Sequence, residues 1–366
     1  MCALDRLTIR RFRGLQDLTL DGLGRVNLLV GPNNSGKTSI LEAVSVFCRP
    51  LDLRAWLDAT WRREALSPGD PFFLSVEWMF PHQPLIDGPF ARGRVSIAGS
   101  GAFAGREVFA SYKPTSRIGA RPASARGDSG ADGNGLEQAG ARVELVADAE
   151  IDPGGALREF TSVYDLWEGD TLPLSGHALF LPVRTVTPVS HRVEPIERDL
   201  SEATLTGQKG QILSLLQELD SGILDVQILS PRGHRSAIYI DYSSNGLLPL
   251  SSFGDGVRRA FLIALLLNSV AGGVLLIDEI ESSLHVTALG SLFSWLVKSC
   301  EELDVQLFAT THSLEAVDAM IEAESKNLDR IVGYHLEASN GIPHVQRLDG
   351  HMLHRLRYER GLDVRL

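Results

Sequence analysis

Gly31-Pro32-Asn33-Asn34-Ser35-Gly36-Lys37-Thr38 has the spacing G-x-x-x-x-G-K-[ST], which suits a backbone wrapped around phosphate. The glycines let consecutive N–H groups turn inward onto phosphate oxygens, and a helix beginning at the lysine adds its positive end. Lys37 is then placed to reach β- and γ-phosphates and the Thr38 hydroxyl to ligate Mg²⁺, with Ser39 the next residue of the same nucleotide-binding loop. The flanks agree. Val26 to Val30 is an apolar run that reads as a buried strand, and Ile40, Leu41, Val44 and Phe47 share one face of a helix over 38–47.

Three further segments carry chemistry-bearing side chains. Val274-Leu275-Leu276-Ile277 is a buried strand that ends in Asp278 and Glu279. Acids at the carboxyl end of such a strand point into the crevice where α/β sheets hold ligands. Alone, such a pair is more often a solvated strand end. Downstream of a phosphate loop it becomes a Mg²⁺ ligand, Asp278, and a group that orients and deprotonates water, Glu279. Ser251-Ser252-Phe253-Gly254-Asp255-Gly256-Val257-Arg258-Arg259 is a Gly/Ser turn feeding a helix. It reads either as a second anion site or as an ordinary helix start with serine as N-cap, and the residues alone do not choose. Phe308-Ala309-Thr310-Thr311-His312 ends another buried strand in an imidazole that can hydrogen-bond a phosphate or a water.

These groups need elements to hold them. Leu4 to Phe12 and Leu18 to Leu20 read as a strand pair, and strands are expected at 94–98, 108–112 and 143–146. Leu74, Val76, Trp78 and Phe80 alternate with Ser75, Glu77 and Met79, the period of a half-buried strand. Residues 118–142 hold six Gly and six Ala among two large aliphatics, too little apolar surface to offset ordering, so a flexible insertion is expected there. A helical region covers 194–219. Beyond it come strands at 225–229 and 236–242, a helix over 256–270, the acidic strand, a helix over 287–301, the strand 305–311, a helix from Ser313 and a strand near 331–336. Alternating helices and strands imply a parallel sheet with helices packed on it.

Composition limits the function classes. With 366 residues, 44% hydrophobic and 22% charged, the chain can bury a full core. A net charge of −11 argues against broad phosphate-backbone binding, while a local basic patch still permits contact with DNA. No apolar run reaches membrane-spanning length, and arginines interrupt the first residues where a leader would need an apolar stretch. Cys2, Cys48 and Cys300 are too few and too scattered for a disulfide framework or a metal knuckle, so a cytoplasmic location is expected.

Taken in order, the segments resemble the ABC-type ATPases of the SMC, RecF and OLD group. Leu7-Thr8-Ile9-Arg10-Arg11-Phe12-Arg13-Gly14 with Leu18-Thr19-Leu20 is similar to that group's opening strand pair, and Gly31 to Thr38 to its Walker A loop. Ser252-Phe253-Gly254-Asp255 with Arg258 stands where the ABC signature lies, Asp278 and Glu279 where Walker B does, residues 280–285 at the D-loop, and His312 at the switch histidine. The standalone AAA-15/OLD-like ATPases, without a Toprim nuclease module, match best. Phe253 takes the place of the usual first glycine of the signature, and Gln83 is a Q-loop candidate by order alone.

The resemblance implies an α/β P-loop NTPase of ABC-ATPase type, a mixed and largely parallel sheet with helices plus an antiparallel β lobe. It implies one head over 1–366, with the lobe at 51–174, its insertion at 118–142, and a helical arm with the signature, Walker B and His-switch core at 175–366. ATP and Mg²⁺ would lie between two copies, Ser252, Phe253, Gly254, Asp255 and Arg258 acting in trans and Arg11 and Arg13 near the nucleotide. Such a homodimer would drive or gate a separate effector, in bacterial defence against phage or in a DNA transaction. A RecF-like DNA clamp in repair and a nucleotide-dependent switch with little turnover are the alternatives. His351 and His354, three apart, and the arginines at 355, 357, 360 and 365 are expected to be ordinary surface rather than a metal or partner site.

Overall fold

In the opening strand Leu4, Leu7, Ile9 and Phe12 are buried while Asp5, Arg6, Arg10 and Arg11 face out, so one face of the sheet it enters is fixed by its side chains. The computed structural model describes residues 3–61, 72–83, 91–102, 105–119, 136–150, 156–168, 179–230, 235–339 and 342–365. In chain order the first part comprises β1 (Leu4–Phe12), β2 (Leu15–Asp21), β3 (Val26–Val30), α1 (Lys37–Cys48), α2 (Leu53–Trp61), α3 (Phe72–Glu77), β4 (His82–Gln83), β5 (Ala91–Arg92), β6 (Val95–Gly101), β7 (Arg106–Gly119), β8 (Leu136–Glu150) and β9 (Leu157–Trp167). The second part comprises β10 (Val183–Val186), α4 (Ser190–Val193), α5 (Glu197–Leu205), α6 (Lys209–Leu219), β11 (Ile223–Leu229), β12 (Ala237–Tyr242), β13 (Gly246–Pro249), α7 (Asp255–Asn268) and β14 (Val274–Ile277). It ends with α8 (Val286–Glu302), β15 (Gln306–Thr310), α9 (Leu314–Ala323), β16 (Ile331–Ser339), β17 (Ile342–Asp349) and α10 (Gly350–His354), followed by a wide turn over Arg355–Glu359.

Two six-stranded sheets dominate. One has the order β10-β14-β15-β3-β16-β17, parallel except for its last pair. The other, β2-β1-β6-β7-β8-β9, is antiparallel throughout. Strands buried on both faces explain the unbroken apolar runs. Val274 and Leu276 of β14 pack with α1 and the antiparallel sheet, while Leu275 and Ile277 pack with α7, α8 and α9. The fold class is the expected one, a mixed α/β core with an antiparallel lobe.

Several local expectations change. Residues 72–77 form a helix rather than a strand. Phe73, Val76, Met79 and Phe80 are the buried apolar positions, three to four residues apart, and Ser75 is buried with them, while Leu74 and Trp78 stay exposed, so the alternation in the sequence does not mark a strand. The helical region at 194–219 is two helices, broken where Gly207 takes a φ of 76°. The ends of the stretch expected to be flexible are a strand ladder, with Ile118 opposite Glu137 and Gly119 opposite Leu136, and its interior at 120–135 lies outside the described residues. The lobe expected at 51–174 also holds helices α2 and α3 and shares its sheet with β1 and β2, because β1 pairs on both sides.

Candidate functional site

Gly31 leaves β3 with a φ of 137°, and a Cβ there would lie 2.2 Å from the carbonyl oxygen of Leu336 on the adjacent β16. Only glycine fits so close an approach in that conformation. Asn34 (φ 62°) and Gly36 (φ 95°) complete the bend, and Gly36 is the N-cap of α1 with no side chain capping the first helical amides. Pro32, Asn33 and Asn34 are exposed, whereas Ser35, Lys37 and Ser39 are buried. The Lys37 ammonium is folded back into the loop and donates to the carbonyls of Gly31 at 2.8 Å and Pro32 at 2.7 Å. Burial lowers its pKa, opposed by the charges of Asp278, Glu279 and Glu281. Uncapped amides and an ammonium held by two loop carbonyls and, more distantly, by the Ser35 hydroxyl are what a phosphate would find and engage.

The parallel pairing of β14 with β15 sets Ile277 beside Ala309, which brings the two strand ends together. The Thr38 hydroxyl lies 3.2 Å from each Asp278 carboxylate oxygen. Thr310 donates to Asp278 at 2.6 Å and accepts from the Glu279 amide at 2.8 Å. Glu279 itself has a φ of 49° and Ser283 one of 62°, left-handed conformations that cost free energy in non-glycine residues and concentrate at working sites. A hydroxyl and a carboxylate are the hard oxygen donors Mg²⁺ prefers. A cavity of about 230 Å³ beside them, walled in part by Leu41, Thr185 and Thr187, leaves that pair open to a ligand.

Arg259, fully buried on α7, was not among the expected site residues. Its guanidinium donates to the carbonyls of Thr187 at 2.7 Å, Asp278 at 2.9 Å and Glu279 at 2.8 Å, tying the ends of β10 and β14 together. Burial draws its pKa down to about 10, so it remains charged at neutral pH. The sequence held one signal for it: a charged residue on the buried stripe of a helix otherwise apolar nearly all round.

His312 is half-buried at the start of the loop between β15 and α9. Its amide donates to Glu281 at 2.8 Å and its carbonyl accepts from Arg365 at 2.6 Å. The Gly/Ser turn lies exposed at the start of α7, with Ser252 and Gly254 open to solvent. Gly254, not a serine, is the N-cap, and it supplies no side-chain cap. Phe253 packs edge-on against Tyr242, with ring centroids 5.7 Å apart. Asp255 is held within its own chain by Arg258 at 3.2 Å, by His191 at 3.3 Å and by Arg192, so its carboxylate anchors the turn. Arg13, at a φ of 50°, pairs with the buried Glu42 of α1 at 2.8 Å, while Arg11 is exposed on β1. Gln83 falls in the short β4–β5 ribbon, and its side chain is outside the described residues.

His351 lies 3.4 Å from an Asp329 carboxylate oxygen and His354 stacks on Tyr358, so the two imidazoles are separately engaged. Among the described residues no group of three or more His, Cys, Asp or Glu is placed to hold a metal, and no helix is long and apolar enough to cross a membrane. Arg357 and Arg365, expected to be plain surface, are bound within the chain, to Asp318 and Asp363.

Comparison with known proteins agrees with this architecture. The family described as "AAA ATPase domain" matches residues 3–69, and that described as "AAA domain, putative AbiEii toxin, Type IV TA system" matches 150–318. An uncharacterised protein of Methanocaldococcus jannaschii, MJECL11, is 33% identical over 114 residues, 31% of this chain and 98% of that one. The DNA replication and repair protein RecF of Psychromonas ingrahamii is 50% identical over 42 residues, only 12% of either chain. RecF of Proteus mirabilis is 56% identical over 41 residues, 11% of either chain. The SMC head domain with an extended coiled coil from Pyrococcus furiosus, solved with the C-terminal domain of ScpA, shares the fold. Its TM-score is 0.50 at 12% identity, over 99% of this chain and 100% of that one. With a phosphate loop, an acidic strand end and a histidine loop carried on this sheet order, the chain belongs to the ABC-type ATPases of the SMC, RecF and OLD group.

Proposed function

We propose that the chain hydrolyses ATP to ADP and phosphate in a site closed by two of its copies, 1–366 acting as one ATPase head. The observation that carries this reading is the meeting of Thr38 with Asp278, 240 residues apart in sequence, at the foot of an uncapped phosphate loop. Lys37 would turn from the loop carbonyls to the β- and γ-phosphates. Thr38 and Asp278 would hold Mg²⁺, which would neutralise charge on the phosphate oxygens. Glu279 would take a proton from water as its oxygen bonds to the γ-phosphorus and the bond to the β–γ bridging oxygen breaks. His312 would hydrogen-bond the γ-phosphate or that water. The exposed turn at Ser252 and Gly254 would close on the γ-phosphate from the other copy, its uncapped helix start adding positive potential.

In this reading ATP binding closes the pair and hydrolysis reopens it, a cycle that would drive or gate a separate effector protein in defence against phage or in a DNA transaction. Glu279→Gln tests it: with ATP and Mg²⁺ the variant should elute from sizing chromatography as a dimer while releasing no phosphate. A monomer that retains bound ATP would end the two-copy reading. The RecF likeness favours a second reading, an ATP-closed clamp on DNA, which is marked by ATP-dependent DNA binding that weakens steeply with salt.

A further inference from the structure

Both peptide groups of His312 are gripped by side chains from other parts of the chain. The N–H donates to Glu281, three residues beyond Asp278, and the C=O accepts from Arg365. The imidazole makes no hydrogen bond among the described residues, so the grip falls on the backbone alone. Arg365 is itself fixed. It makes a two-pronged pair with Asp363, at 2.9 Å and 2.6 Å, which holds that carboxyl at a pKa of about 2. The segment that delivers it, after α10, is laced to α9. Arg357 makes a second two-pronged pair with Asp318, at 2.7 Å and 2.8 Å, and also donates to the Leu362 carbonyl at 2.6 Å. Val364 is buried in the core on that side.

We propose that Arg365 is a positioning residue for His312, and that the segment 355–365 acts as a brace which sets the imidazole for the γ-phosphate side of the site. It rests on the ATPase reading above. A carbonyl held by a guanidinium that is already locked by a carboxylate has little freedom to rotate, so the dihedral angles that aim the side chain are set from outside the loop. Glu281 completes the brace from the acidic strand's side. Movement of either support would re-aim the imidazole without touching the nucleotide.

The test is a double-mutant cycle in the full chain. Arg365→Ala should lower kcat for phosphate release on the order of tenfold with KM for ATP unchanged, the effect of a misplaced group rather than of lost binding. In a His312→Ala background the same change should cost nothing further, because its route to the site is gone. Asp363→Asn, which leaves Arg365 in place but unlocks it, should cost roughly two- to threefold and guards against misfolding of the harsher variant. A readout free of turnover is the His312 ring resonance without nucleotide, assigned by its loss in His312→Gln, which should shift or broaden in Arg365→Ala. Equal losses in both backgrounds, or an unmoved ring signal, would overturn the brace while leaving the ATPase reading intact. If Lys37→Ala and wild type release phosphate at the same rate, the ATPase reading fails first and the brace falls with it.

Discussion

Lys37 shows how a side chain legible in sequence acquires its chemistry from its surroundings. The residue was identifiable from two glycines and a hydroxyl neighbour, yet its lowered pKa comes from burial inside the loop, a property no spacing encodes. With a folded pKa below that of the unfolded chain, the loop prefers a neutral lysine as pH rises, and a triphosphate beside it reverses that preference. Nucleotide binding in alkaline buffer should therefore take up a fraction of a proton, because the burial that favours the neutral lysine is offset by the triphosphate. Calorimetry in two buffers of different ionisation enthalpy reads that uptake, and Lys37→Met should abolish it. Proton release on binding would contradict the assignment. Thr310 makes the complementary point. It is a plain strand-end threonine in sequence and became part of the site only because β14 and β15 run in parallel register, which sets its hydroxyl between Asp278 and the Glu279 amide.

At the scale of elements, α7 joins two parts of the site. Its N-cap is the exposed Gly254, its first turn carries the anchored Asp255, and one turn later Arg259 holds three carbonyls at the ends of β10 and β14. Removing that guanidinium leaves Thr187, Asp278 and Glu279 carbonyls without their buried donor. Arg259→Met, close in length and apolar, should cost about 3 kcal/mol in urea unfolding, since hydrogen bonds to a charged donor are lost and their acceptors stay buried. A change below about 1 kcal/mol would mean that water replaces it freely. The elements around it were unequally readable. The helices of 255–323 carry long apolar stripes and clear breaks between them, and their bounds fall within a few residues of expectation. α3 misled because a six-residue helix offers too few turns to separate its period from alternation. β10 was missed as a strand because Val183-Arg184-Thr185-Val186 is short and mixed, and its place at the edge of the parallel sheet comes from pairing with β14.

For the molecule as a whole, the Walker-type residues and the Gly/Ser turn belong to one chain but are proposed to act across two. That arrangement has an arithmetic consequence. Lys37→Ala chains keep a sound turn, and chains carrying a bulky Gly254→Trp keep a sound phosphate loop. Each should be inactive alone. Mixed in equal amounts with free exchange, half the dimers would be hybrids with one intact site of two, restoring about a quarter of wild-type phosphate release. No recovery, with exchange verified by differently labelled chains, would place the whole site within one copy.

The sequence by itself determined the identity of the phosphate loop, the acidic strand end and the histidine loop, and through their order the α/β class. Those signals are local: two glycines at a fixed spacing, a hydroxyl beside a lysine, an apolar run that stops at two acids. Tertiary structure decided everything that depends on residues distant in the chain meeting. Thr38 against Asp278, Arg259 beneath Glu279 and Arg365 on the His312 carbonyl are contacts across 240, 20 and 53 residues. Strand order and helix packing bring such groups together, and a linear pattern holds no record of which buried arginine will find which carbonyl.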